Sequence, residues 1–354
     1  MSREADGLEE PDRFPGTPHP RERLVLFGHE EAEAGIVEAM RAGRLPAAWL
    51  IGGPPGIGKA TLAYRIARRL LALGGGPTET VTSLEVEPSH PVARQVGVLS
   101  HPNLIVIRRG LTKDGKRYMT EISAEVARRA IDMFGSTSMD GSYRIAIVDP
   151  AEELNAQSAN ALLKIIEEPP PRSLFLIVSH APQRVLPTIR SRSRRLLLRP
   201  LAGQDVRRAV GSLGGPWAEA APDVLDEAIR LGEGSVRRTL AMLDKDRIAF
   251  VDRIRRALDA LPQLEAKGVL ALAEQVARRD ADETYELALD TVERWVSERL
   301  HERAALGPAR LAPLVEVCDK LARQAREIDT YNLDRRPLVL SLFDDLADAV
   351  RRTA

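Results

Sequence analysis

The sequence predicts an α/β P-loop domain with a parallel sheet, followed by an all-α lid and an all-α C-terminal domain, and three observations carry that reading. Short β-rich runs alternate with amphipathic helices as far as about Pro200, the pattern of strands joined by helical crossovers. A glycine-rich loop follows the first of those strands and opens a helix. Beyond Pro200 the strand signals stop and only helical periodicity remains.

In chain order, residues 1–20 are rich in Pro, Gly, Glu and Arg without an apolar period and read as a flexible lead-in. Residues 21–200 form the nucleotide-binding-type domain. Its strand candidates are AWLIGG, NLIVIRR, YRIAIVD, SLFLIVS and RLLLRP, each a run of branched or bulky apolar residues. EAEAGIVEAMRAG before the first strand and KATLAYRIARRLLALG after the loop space apolar residues at helical intervals, with Leu62, Ile66 and Leu70 as one stripe. Pro88, His90 and Pro91 mark a connection between Ser83 and Ser100. Residues 201–245 are the helical lid, two short helices separated by Gly232 and Gly234. Residues 246–354 are a helical collar suited to oligomerisation, in which Leu338, Leu342 and Leu346 share one helical face.

Bulk composition narrows the function classes. Lys plus Arg and Asp plus Glu both total 51, so any nucleic-acid contact must come from local patches. The single cysteine, Cys318, excludes an internal disulfide framework and a cysteine-cluster metal site, and reads as a small buried residue. No apolar run reaches the roughly 20 residues that span a bilayer, and the acidic opening lacks a signal-peptide core, so the chain is expected in the cytoplasm.

The sharpest local signal is Gly53-Pro54-Pro55-Gly56-Ile57-Gly58-Lys59. Glycines let backbone amides converge on phosphate oxygens, the helix start adds its dipole, and Lys59 brings an ammonium to the terminal phosphates. The plain alternative is a Gly/Pro loop with a solvated lysine; the agreement of motif and flanking elements favours a nucleotide. The next residue is Ala60 where the pattern requires a Ser or Thr hydroxyl for Mg²⁺. Thr61 lies about 100° further round the helix, away from that point. Magnesium-assisted chemistry is therefore doubtful here.

The strand YRIAIVD ends in Asp149, where P-loop ATPases place a carboxylate that supports the metal, although a strand-end Asp also commonly caps a turn. Pro150 follows where many such ATPases have a water-polarising Glu. A positioned general base contributes about 10²–10⁴-fold, so hydrolysis should be slow or absent unless Glu152 or Glu153 reaches in. Those two glutamates read more simply as charges near a helix start.

The stretch SANALLKIIEEPPPRSLFLIVSHAPQRVLPTIRSRSRRLLLRPL resembles, in order and spacing, bacterial clamp-loader subunits of the AAA+ class. Asp149-Pro150 and the ending TYNLDRRPLVLSLFDDLA resemble the delta-prime branch of DNA polymerase III clamp loaders. The resemblance implies that Arg192, in Ser191-Arg192-Ser193, is an arginine finger acting in trans on a neighbouring ATPase, a role worth about 10³–10⁵ in rate. It also implies nucleotide-sensing roles for Ser179, with His180 beside it, and for Arg237. By composition alone, Arg192 is one member of a solvated basic run.

The same resemblance implies ATP as the ligand of Gly53–Lys59 with Ala60 and Thr61. It implies delta and gamma/tau subunits, the sliding clamp and primer–template DNA as partners. It makes the chain an accessory subunit of a DNA-directed DNA polymerase. A zinc module is not expected, since residues 71–105 hold no cysteine and His90 and His101 alone cannot close a site. The alternative is an active gamma/tau-type motor, which would keep the hydroxyl after the lysine and the Asp-Glu pair.

Overall fold

A computed structural model describes residues 10–112, 114–135, 141–278, 282–331 and 333–353. Contacts divide the chain into two compact units, Met1–Met242 and Leu243–Ala354. The first nine residues of the expected lead-in lie outside the described residues.

The five strand candidates become β1 (Ala48–Gly52), β2 (Leu104–Ile107), β3 (Arg144–Val148), β4 (Ser173–Ser179) and β5 (Arg194–Leu197). They pair in parallel in the order β2-β3-β4-β1-β5. Every residue of β1, β3 and β4 is buried, as expected of central strands covered on both faces. One face packs under α1 (Glu30–Arg41), α2 (Lys59–Ala72) and α3 (Pro91–Gly97), through Met40, Leu62, Ile66, Leu70 and Val96. The other packs under α4 (Ala124–Gly135), α5 (Ala156–Glu167) and α6 (Pro187–Arg192), where Phe134 stacks on Phe175 at 4.6 Å. β5 is an edge strand with Leu197 exposed.

Four helices complete this unit: α7 (Gly203–Gly211), α8 (Gly215–Ala218), α9 (Pro222–Gly232) and α10 (Val236–Ala241). α9 ends where Glu233 takes a left-handed φ of 47°, and Ser235 caps α10 by accepting from the Arg238 amide.

The expected flexible lead-in is corrected from Glu10 onward. Thr17 and His19 are buried, and Pro20–Glu22 form a 3₁₀ turn capped by His19. Order here comes from long-range ion pairs, which a search for apolar periodicity does not register.

The second unit comprises α11 (Lys245–Asp259), α12 (Ala266–Val276), α13 (Asp282–Glu302), α14 (Pro308–Tyr331) and α15 (Arg336–Thr353). Its core gathers Phe250, Leu272, Trp295 and Leu321 with Leu338, Leu342 and Leu346. The Trp295 indole donates to Asp259 at 2.8 Å, satisfying its one polar atom. Cys318 is half-buried at the margin of this core rather than inside it. Among the described residues no helix is long and apolar enough to cross a membrane.

Candidate nucleotide site and an exposed arginine

Parallel pairing sends the C-terminal ends of all strands to one edge of the sheet, where open α/β sheets bind ligands. Gly52 at the end of β1 is level with Ser179 at the end of β4, and Val148 of β3 is level with Ile177. The loop 53–58, Asp149 and Ser179 therefore leave the sheet together.

Gly58 caps α2 with φ +98°, a conformation that glycine adopts without strain, and the buried His29 ring holds the Ile57 carbonyl at 2.7 Å. Lys59 is buried, and its ammonium donates to the carbonyls of Gly53 at 2.7 Å and Pro54 at 2.5 Å. Burial pulls its pKa down to about 8, against the charges of Asp149 and Glu152.

Asp149 is buried at the end of β3, with Oδ2 making no hydrogen bond. Burial pushes its pKa up to about 7, Asp12 adds to the rise, and Lys59 opposes it. After the cis Asp149–Pro150 bond, a 3₁₀ turn over Ala151–Glu153 turns Glu152 toward β4. Its Oε1 accepts from the Ser179 hydroxyl and, at 2.7 Å, from the Ala181 amide. The sequence reading of Glu152 as a helix-start charge misses this bond, whose partners lie 27 and 29 residues further along the chain. Glu153 pairs with Arg109 at 2.9 Å, while burial pushes its pKa up to about 8. His180 follows Ser179, and burial together with the charge of Lys59 pushes its pKa down to about 4, although the residue keeps a solvent-exposed face.

The lid reaches the same loop. The Val236 amide donates to the Gly56 carbonyl and the Ser235 hydroxyl to the Pro55 carbonyl, each at 2.9 Å. Arg237 is so close that a Cβ on Gly56 would stand 2.5 Å from its Cβ. Of the residues singled out in the sequence, Gly53 to Lys59, Asp149, Ser179 and Arg237 thus gather around one locus. Ala60 and Thr61 sit half-buried in the first turn of α2.

Arg192 is elsewhere. It ends α6 with its side chain exposed, donating to the Thr188 carbonyl at 3.1 Å and pairing with Glu167 at 2.8 Å. Ser193 turns inward and donates to the Ile189 carbonyl at 2.8 Å.

The loop chemistry fits phosphate oxygens: backbone amides at a helix start and a neighbouring ammonium. It lacks the hydroxyl by which a P-loop holds magnesium, because position 60 carries a methyl group. His90 and His101 each cap the turn that follows them, accepting through Nδ1 from the amides of Val92 and Asn103 at 3.2 Å.

A family model described as DNA polymerase III, delta subunit, matches residues 28–202. The chain is 32% identical over 230 residues to the gamma/tau subunit of DNA polymerase III from Mycobacterium bovis, covering 62% of this chain and 36% of that protein. It is 33% identical over 193 residues to the delta-prime subunit from Pseudomonas aeruginosa, covering 53% of each. The chain thus spans between about a third and a half of the length of these relatives. Among solved structures, a gamma-subunit-related protein of Thermotoga maritima aligns at 16% identity and TM-score 0.38, over 90% of this chain and 100% of that one. The Thermotoga maritima RuvB Holliday junction branch migration motor aligns at 17% and 0.41, over 91% of each. Residues 28–202, with their parallel sheet and glycine-rich loop, thus match the clamp-loader family of DNA polymerase III subunits, in which the relatives bear both delta-prime and gamma/tau names.

Proposed function

We propose that the chain is the delta-prime-type subunit of a DNA polymerase III clamp loader. It assembles in the cytoplasm with delta and gamma/tau subunits and helps to place the sliding clamp on primer–template DNA. Arg192 acts as a finger on the ATP of a neighbouring subunit, while the chain's own site binds ATP weakly and hydrolyses it slowly or not at all. Ser179 and Arg237 in this reading report on any bound nucleotide.

The observation that carries the proposal is the contrast between the two sites. Arg192 stands exposed on α6 and pairs with the equally exposed Glu167. The P-loop has a lysine bonded to its own carbonyls, a methyl at Ala60 and a proline after Asp149. An exposed pair of this kind contributes little to stability, so Arg192 is free of a structural duty that would explain its place.

An active gamma/tau-type motor is the second reading, favoured by Glu152, which interacts electrostatically with Lys59 and offers a carboxylate in place of the missing one. Steady-state ATP hydrolysis by the reconstituted loader with clamp and primed DNA separates the two. A delta-prime-type subunit gives a fall of about 10³-fold or more in the complex for Arg192→Ala, little change for Lys59→Ala, and no turnover by the isolated chain. Lys59-dependent turnover by the isolated chain establishes the motor instead.

A further inference from the structure

The segment from Glu10 to Arg23 crosses the ligand-binding edge of the sheet and touches the lid on its far side. On the sheet side, Arg108, the residue after β2, pairs with Glu10 at 3.0 Å and Asp12 at 2.7 Å. Arg21 pairs with Glu10 and donates to the Gly97 carbonyl at 2.9 Å. His19 meets Glu10 at 2.9 Å and Asp12 at 3.0 Å and lies edge-on to Tyr64 of α2. Arg68 of α2 donates to the Arg21 carbonyl at 2.6 Å.

On the lid side, Phe14 meets Trp217 edge-on with ring centres 5.9 Å apart, and the Trp217 indole donates to the Gly16 carbonyl at 3.4 Å. The Arg237 guanidinium lies 5.8 Å from the centre of the Phe14 ring. Arg23 donates to the Ser212 carbonyl at 3.1 Å and to its hydroxyl at 2.6 Å. The segment therefore bridges the sheet edge and three of the lid's helices or their ends.

Glu10, Asp12 and His19 offer ligand atoms within 4.8 Å of one another, an arrangement that would suit a cation. Two guanidiniums already answer those carboxylates, and against burial their hydrogen bonds and that of His19 hold Glu10 below the usual carboxylate range. Nδ1 of His19 accepts from the Arg21 amide at 3.1 Å, so Nε2 carries the proton that faces the acids. The carboxylates raise the proton affinity of this ring against burial, but a second proton would have to displace that cap. The cluster is closed on itself and works as a fastening.

Neither apolar cluster flanking the sheet contains a residue of this segment, which meets the nearer one through the edge of His19 on Tyr64. The sheet-side contacts are largely buried ion pairs, whereas the lid-side contacts of Phe14 and Trp217 are only half-buried, and such contacts open most cheaply. We propose that Glu10–Arg23 is an intramolecular clasp that holds the helical lid down on the phosphate-binding loop, so that release of the segment frees the lid.

Hydrogen–deuterium exchange on the full chain tests the clasp with two variants. Glu10→Gln with Asp12→Asn unfastens the sheet side, and Phe14→Ala removes only the ring that meets the lid. Amides within 203–241 should exchange about tenfold or more faster in both variants, with β3 and β4 unchanged. Lid exchange that stays at the native rate in Phe14→Ala overturns the clasp. Binding of a fluorescent ATP analogue should rise in the same variants and fall back when Lys59→Ala is added. A lid that loosens without any gain in analogue binding upholds the clasp and counts against nucleotide binding by Gly53–Lys59, which belongs to the proposed function.

Discussion

The Lys59 ammonium donates to the Gly53 carbonyl at 2.7 Å, so the cation of the glycine-rich loop is engaged by the loop's own backbone. Lys59→Met keeps the length and apolar stem of the side chain but leaves the carbonyls of Gly53 and Pro54 without their donor, and Asp149 without the favourable charge of Lys59. Breaking a buried arrangement of this kind costs about 2–4 kcal/mol. The first unit should melt about 4 °C or more below the native chain. An unchanged midpoint in calorimetry would show that Lys59 points away from the loop in solution.

Burial holds Asp149 protonated up to a pKa of about 7, from an ordinary value of 3.8. Between those values the unfolded chain ionises while the folded chain keeps its proton. The folded state then binds more protons, so stability contributed by this group falls as pH rises through the window and levels off above about 7. Asp149→Asn cannot ionise and removes that fall. It should match the native chain near pH 4 and exceed it at pH 8 by roughly 2 kcal/mol, since a tenfold change in proton affinity is worth about 1.4 kcal/mol and Lys59 shares the interaction. Urea titrations at both pH values read the difference, and parallel pH profiles would contradict it.

Glu152 ties the end of β4 to the turn after β3 through the Ser179 hydroxyl and the Ala181 amide. Glu152→Ala leaves both donors without their acceptor and should cost about 2 kcal/mol, while Ser179→Ala removes one donor and should cost about 1 kcal/mol. Because both variants remove the same bond, the double variant should fall short of their sum by at least about 0.5 kcal/mol. Strict additivity would mean that the bond is absent in solution.

How far sequence reading reached follows from what kind of force builds each part. β3 and β4 are buried on both faces and therefore read as short apolar cores, IAIV and LFLIV, that their length and branched residues mark as strands. The loop at Gly53–Lys59 is legible because backbone conformation demands glycine at fixed points along it. The clasp is different: Glu10 and Arg108 stand 98 residues apart in sequence and meet only in the folded chain. Charges exert no periodicity, so the same residues look like a disordered acidic opening. Glu152 fails for a related reason, because its partners Ser179 and Ala181 lie on another strand end and nothing local to residue 152 announces them.

Gly56 carries a steric argument that a single substitution tests. Its φ is +76°, a left-handed conformation that costs a residue with a Cβ about 1–2 kcal/mol, and the added carbon would collide with the Ser235 hydroxyl and stand 2.5 Å from the Cβ of Arg237. Neither neighbour can yield alone, because Ser235 caps α10 and bonds the Pro55 carbonyl. Gly56→Ala should therefore lift the lid from the loop and cost about 3 kcal/mol in all, the strain adding to the loss of the Ser235 and Val236 bonds. Gly35, midway along α1 with open space around it, is the control. Gly35→Ala should gain about 0.5–1 kcal/mol, since alanine loses less backbone entropy in a helix than glycine. Equal effects at the two positions would mean that the lid does not press on the loop. Opposite signs, with faster exchange in 236–241 for Gly56→Ala alone, place the contact between lid and loop in the folded state.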